Sequence, residues 1–128
     1  MSPLKLYLCG PIFGCTDEQC KDWREDAKKR FPNAIDPMRR DYRGKELSDV
    51  SALVQGDIAD INQSDALLVN APAPSWGTAM EIRYAFERGK TIVIVVPQDV
   101  KLSPWLVFHS DQICTTFEKA YEWLERNL

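Results

Sequence analysis

With 128 residues, 45% of them hydrophobic and 27% charged, the chain can bury one core and has the make-up of a soluble globular protein. A net charge of −3 without a basic tail argues against a nucleic-acid polymer as partner. No apolar run approaches the ~20 residues that span a bilayer, so no membrane association is expected.

Met1-Ser2-Pro3-Leu4-Lys5 leads directly into a strand-like run, which predicts no signal peptide. Leu4 to Cys9 reads as a first strand, stopped by Gly10-Pro11. Thr16, with Gln19 three residues on, forms the capping box of a helix running through Trp23, Ala27 and Arg30. Ala34-Ile35 reads as a short second strand ended by Asp36-Pro37. A polar loop from Met38 to Ser48 carries Arg39, Arg40, Arg43 and Lys45, and a helix follows from Asp49 to Gln63. Asp65 to Asn70 is a third strand, and Ala71-Pro72-Ala73-Pro74 a loop into a helix that stops at Gly89-Lys90. Thr91 to Val96 is β-branched almost throughout, as a strand buried on both faces should be. A loop with Ser103-Pro104-Trp105 precedes a fifth strand near Gln112-Ile113-Cys114, and an amphipathic helix runs from Phe117 to Leu128.

Strands alternating with helices predict an α/β fold: a doubly wound, five-stranded parallel sheet of flavodoxin-like or Rossmann-like type, in one domain over residues 1–128. The turn Gly10-Pro11-Ile12-Phe13-Gly14 has neither G-x-G-x-x-G nor a Walker pattern, so dinucleotide binding and NTP hydrolysis lose their main support. Cys9, Cys15, Cys20 and Cys114 form no C-x-x-C pair, and His109 is the only histidine. This predicts reduced thiols in the cytoplasm, no metal site, and His109 at the surface or a subunit contact.

Two carboxylates stand out. Glu81 lies in Ser75-Trp76-Gly77-Thr78-Ala79-Met80-Glu81, just beyond a strand's carboxyl end, where open α/β sheets bind ligands. The same residues make a capping box, with Thr78 as N-cap and Glu81 reaching back to its amide. On the preceding helix, Val50, Leu53, Val54, Ile58 and Ile61 make one apolar face, and Asp57 falls within it. A buried bare carboxylate is costly, so Asp57 must be hydrogen-bonded to a loop amide, paired, or open to a cleft. Asp60 lies nearer the stripe's edge, where solvation is easier. Paired carboxylates suit glycosidic-bond chemistry, and equally an acid/base site or a cation site.

Over nearly its whole length the chain resembles the nucleoside 2-deoxyribosyltransferase family. Tyr7-Leu8-Cys9-Gly10-Pro11 is similar to the family's Y-L-A-G-P opening, and Gly56-Asp57-Ile58-Ala59-Asp60-Ile61 followed by Ser64-Asp65-Ala66 to its D-x-x-x-I-x-x-x-D segment. Gly77-Thr78-Ala79-Met80-Glu81-Ile82 with Ala85 and Gly89-Lys90 resembles its G-T-x-x-E-I-x-x-A-x-x-x-G-K signature. The resemblance implies that Glu81 is the nucleophile on C1′ of the deoxyribose, that Asp57 handles the base's proton and that Tyr7 orients Glu81. It places Gly10, Pro11, Ser75 and Gly77 against substrate. Asp111 and Gln112 match a stretch that serves a neighbouring subunit's site, which implies a homo-oligomer with shared active sites. No cofactor is implied, and the partners are a nucleoside or nucleotide and a free nucleobase. Ser75 departs from the family's frequent Asp and resembles the sister 5′-monophosphate N-glycosidases; Arg39, Arg40 and Arg43 would then add phosphate forks, or simply line a solvated loop. The rivals to transfer are hydrolysis of (deoxy)nucleoside monophosphates and a non-catalytic nucleotide sensor.

Overall fold

The computed structural model describes residues 3–128. Four parallel strands lie side by side in chain order: β1 (Leu6–Cys9), β2 (Ala66–Asn70), β3 (Thr91–Val95) and β4 (Gln112–Cys114). The helices are α1 (Trp23–Arg30), α2 (Val50–Gln63), α3 (Trp76–Glu87), α4 (Pro104–His109) and α5 (Phe117–Asn127). Alternation along the strands sorts the core into two halves. Leu6, Leu8, Ala66, Leu68, Val93 and Val95 pack with Ala27 and Phe31 of the α1 side and with Ala120 and Leu124 of α5. Tyr7, Cys9, Leu67, Val69, Ile92 and Ile94 pack with Ile61 of α2 and with Ile82 and Ala85 of α3. The sheet is therefore covered on both faces and is doubly wound.

The sheet has four strands rather than five. The expected strand at Ala34-Ile35 is a single parallel bridge, Ile35 to Tyr7, on the outer edge of β1. The Ile35 amide donates to the Leu6 carbonyl (2.6 Å) and the Leu8 amide to the Ile35 carbonyl (3.1 Å). In a parallel ladder the next bond would run from residue 37 to the Leu8 carbonyl. Residue 37 is proline and has no N–H to give.

Arg24, fully buried, takes that place. Its Nε donates to the Leu8 carbonyl at 3.2 Å, Nη1 to Cys20 at 2.6 Å and Nη2 to Gly10 at 3.0 Å. Asp36 balances its charge at 3.9 Å, pairs with Lys28 at 2.8 Å, and accepts the Met38 amide. The turn after β1 is tight here: a Cβ on Gly10 would meet the Trp23 ring at 2.9 Å.

The Thr16–Gln19 capping box forms in both directions, the Thr16 amide to Gln19 Oε1 (2.9 Å) and the Gln19 amide to Thr16 Oγ1 (3.2 Å). It leads through a π-helical stretch, Glu18–Asp22, into α1. The segment expected as a loop around Ser103-Pro104-Trp105 is α4, because Ser103 caps the Trp105 amide and Pro104 suits a first helical position. His109 is buried rather than on the surface, with Nδ1 2.6 Å from the Trp105 carbonyl and Nε2 3.1 Å from Arg83. The α2 stripe turns inward only in part: Val50 and Val54 are 51% and 46% exposed. The four cysteines are free, and no helix among the described residues is long and apolar enough to cross a membrane.

Replacing Arg24 should be costly, since the Leu8, Gly10 and Cys20 carbonyls lose a buried donor together. Arg24→Met is expected to lower stability by ~3–5 kcal/mol in urea unfolding, with Arg24→Lys recovering little because a point ammonium cannot reach all three carbonyls.

Candidate active site

The loops leaving β1 and β2 diverge, because α1 and α3 cover opposite faces of the sheet. Such a switch point opens a crevice at the strands' carboxyl ends. A chamber of about 1020 Å³ sits there, walled by Pro11, Phe13, Trp23, Asn70, Pro74 and Trp76. A smaller chamber of about 150 Å³ adjoins it, sharing Phe13, Ser75 and Gly77, and holds Glu81, Asp57 and Arg40.

The helix carrying Glu81 begins earlier than the Thr78 capping box implies. Ser75 is the N-cap and accepts the Thr78 amide at 3.4 Å; the helix starts at Trp76. Glu81 thus falls in the second turn, one step from the sheet-facing Thr78, Ile82 and Ala85. Its carboxylate turns to β1 instead of capping. Tyr7 Oη donates to Oε2 at 2.7 Å and the Cys9 thiol donates to Oε1 at 3.3 Å. Tyr7 and Cys9 are two apart on one strand, so both side chains reach the same face.

Asp57 lines the smaller chamber, partly buried, with Arg40 Nη2 3.4 Å from Oδ1. Asp60, expected at a solvated edge, is 3% exposed. Arg39 grips it through both Nη atoms (2.8 and 2.7 Å), and Arg40 adds a third bond at 2.7 Å. Gly56 makes room for this, since a Cβ there would meet Arg40 Nε at 2.9 Å. Burial pushes the Asp60 carboxyl up, but the Arg39 and Arg40 hydrogen bonds outweigh it and hold it below the usual range. Arg39 and Arg40 are committed to Asp60, and Arg43 pairs with Asp41 (2.7 Å) and Asp17 (2.6 Å).

Burial raises the Glu81 pKa, and the Asp57 charge raises it further. Burial raises Asp57 too, offset in part by Glu81 and Arg40. Two carboxyls that resist ionising together hold one proton between them across an intermediate pH range. Burial, then the Glu81 charge, pushes the Tyr7 hydroxyl and the Cys9 thiol far up, so both stay protonated donors. The site can therefore present one carboxylate and one carboxylic acid to a bound molecule, with two neutral donors holding Glu81 from behind.

Gly10, Pro11, Ser75 and Gly77 line the two chambers, whereas Arg39 is absent from their walls. Asp111 and Gln112 lie at the amino end of β4, away from the cleft at the strands' carboxyl ends. The Asp111 carboxylate accepts the Ile92 amide at 2.8 Å and its amide donates to the Ile92 carbonyl at 2.8 Å. The one sequence signal for Cys9 at the site is its two-residue spacing from Tyr7. Among the described residues, no group of three or more His, Cys, Asp or Glu is arranged to hold a metal ion.

The stability consequence of Glu81 has a definite sign. A carboxyl whose pKa is raised on folding stabilises the fold below its unfolded pKa, and that contribution is lost as pH rises through the folded value. Glu81→Gln should therefore match the parent in thermal stability near pH ~5 and exceed it increasingly toward pH ~8, by roughly 1–3 kcal/mol. Equal melting of the two proteins across that range would contradict the raised pKa.

No curated protein matches the chain by sequence. Solved structures with the same fold include a 2-deoxyribosyltransferase from Bacillus psychrosaccharolyticus, with TM-score 0.75 and 14% identity over 91% of this chain and 90% of that one. A conserved protein from Enterococcus faecalis superposes with TM-score 0.79 and 16% identity over 99% and 100% of the two chains. A CMP N-glycosidase from Clostridium botulinum gives 0.64 and 17% over 97% and 99%. The profile of the nucleoside 2-deoxyribosyltransferases matches residues 6–121, and the chain belongs to that family.

Proposed function

We propose that the protein is a nucleoside 2-deoxyribosyltransferase working through a covalent glycosyl–enzyme. The observation that carries this reading is the Glu81 carboxylate, held by Tyr7 and Cys9 and facing the same small chamber as Asp57. An oxygen of Glu81 attacks C1′ of the sugar while the C1′–N bond breaks and its electron pair leaves with the base. When Glu81 is ionised for attack, the proton that the two carboxyls share sits on Asp57, which gives it to the base. A second base then attacks C1′, Asp57 takes that base's proton, and Glu81 departs, so two displacements give net retention. The aromatic and proline walls of the larger chamber suit a flat nucleobase.

Hydrolysis of 5′-monophosphates is the second reading, favoured by Arg40 and Arg43 in the smaller chamber and by the likeness to a CMP N-glycosidase. The carboxylates already paired with both arginines count against it, and unphosphorylated deoxynucleosides are the expected substrates. Chromatography of products from deoxynucleosides and 5′-monophosphates, each with and without a second base, separates transfer from hydrolysis.

Glu81→Ala should abolish base release and any mass-shifted glycosyl–enzyme. Asp57→Asn should slow turnover by roughly 10²–10⁴ and flatten one limb of the pH–rate profile. Normal turnover in a folded Glu81→Ala protein would reject the mechanism.

The assembly we propose is a homo-oligomer that places Asp111 and Gln112 near a neighbour's site. Trp76 and Met80 on α3 and Trp105 and Phe108 on α4 are 71–91% exposed, a large apolar surface beside the cleft. Wild type should sediment as a dimer or larger and the Trp105→Glu/Phe108→Glu double variant as a monomer; a fully active wild-type monomer would sink this arrangement.

A further inference from the structure

We propose that Cys9 is a positioning residue that divides the work of the Glu81 oxygens: Tyr7 anchors Oε2, while the weaker thiol donor leaves Oε1 as the atom that bonds to the sugar. This rests on the reading of Glu81 as nucleophile. The two donors differ in strength and not in placement. Both come from one face of β1, both are 1% exposed, and each meets a different oxygen, Tyr7 at 2.7 Å and Cys9 at 3.3 Å. A phenol is a strong donor and a thiol a weak one. An oxygen must surrender a lone pair to attack, so the one bound less tightly attacks at lower cost.

Cys9 also has somewhere to turn. The Thr78 carbonyl lies 3.9 Å from its sulfur, a second acceptor for the S–H. As Oε1 forms its bond to C1′ and the C1′–N pair leaves with the base, the thiol hydrogen swings from Oε1 to that carbonyl. Oε2 becomes the carbonyl oxygen of the glycosyl ester and keeps its Tyr7 bond. No proton leaves sulfur, consistent with burial holding Cys9 as a thiol. An alanine at this position would leave Oε1 without a donor, and a serine would hold it too firmly. The other charged or titratable groups that act on Glu81 are Tyr7 from β1 and Asp57 from α2, with Arg40 behind Asp57 and Arg24 behind β1.

Cys9→Ser and Cys9→Ala should shift the enzyme in opposite directions, which loss of packing alone does not do. Cys9→Ser should lower the single-turnover rate of base release roughly tenfold with KM little changed, and move the acid limb of the profile to lower pH. Cys9→Ala should keep the plateau within about threefold and move that limb up by about half a pH unit. Infrared spectroscopy gives a readout independent of turnover. The S–H band absent from Cys9→Ala should lie at low frequency in wild type and rise in Glu81→Ala to that of a thiol bonded weakly to the Thr78 carbonyl. Equal slowing by both variants with unmoved limbs, or an S–H band indifferent to Glu81→Ala, would overturn the proposal. A wild type with no base release, but with the expected S–H shift, would instead overturn the nucleophile reading and with it the assignment of Oε1.

Discussion

The Arg24 guanidinium, bonded to the backbone where a fifth strand would have been, is the constraint on which the carboxyl end of β1 depends. Pro37 cannot extend the ladder, and a buried Leu8 carbonyl without a donor would cost ~1–3 kcal/mol. Arg24 supplies that donor and, with its other nitrogens, fastens Gly10 and Cys20. The result is a fixed exit for the chain after Cys9. Tyr7 and Cys9 stand at that exit, and the loop carrying Phe13 forms a wall common to both chambers. A side chain substituting for a strand thus sets the geometry of the wall that carries Tyr7 and Cys9, and it does so from the face of the sheet opposite Glu81.

The site itself works against the fold. Two carboxyls that burial and mutual repulsion keep from ionising together are brought to one small chamber. The nearby Asp60 shows the opposite solution, since two arginines neutralise it outright. Asp57 receives only a longer contact from Arg40, so it keeps the capacity to hold a proton. The difference between these aspartates, one helical turn apart, is the difference between a neutralised charge and a carboxyl that still takes up a proton. It arises from how far the Arg39–Arg40 segment reaches over α2, which the missing side chain of Gly56 permits.

Much of this was legible in the sequence, and the failures have particular causes. The parallel α/β plan, the Thr16 capping box and the placement of Glu81 beyond a strand follow from local pattern. The fifth strand failed because a two-residue run before Asp36-Pro37 contains no donor for a second rung. The cap of α3 was misplaced by three residues because Ser75 and Thr78 are both good caps and tertiary contact decided between them. Here Glu81 reached Tyr7 and Cys9 and was lost to any capping role. Asp60 looked solvated because helical periodicity says nothing of arginines arriving from a separate loop. His109 looked exposed because α4 was read as a loop. Cys9 is not marked in the sequence because its partner, Glu81, arrives from α3 only in the folded chain.

The larger chamber has one more property. Of the chain's four tryptophans, Trp23 and Trp76 stand in its wall, one from each of the loop-and-helix segments that diverge at the switch point. Trp76 is almost wholly open to water, while Trp23 stacks on Phe117 and lies beside the buried Arg24 guanidinium. Anything that fills the chamber therefore meets two indoles in unlike settings, Trp76 free to move with it and Trp23 held from behind by Phe117 and Arg24.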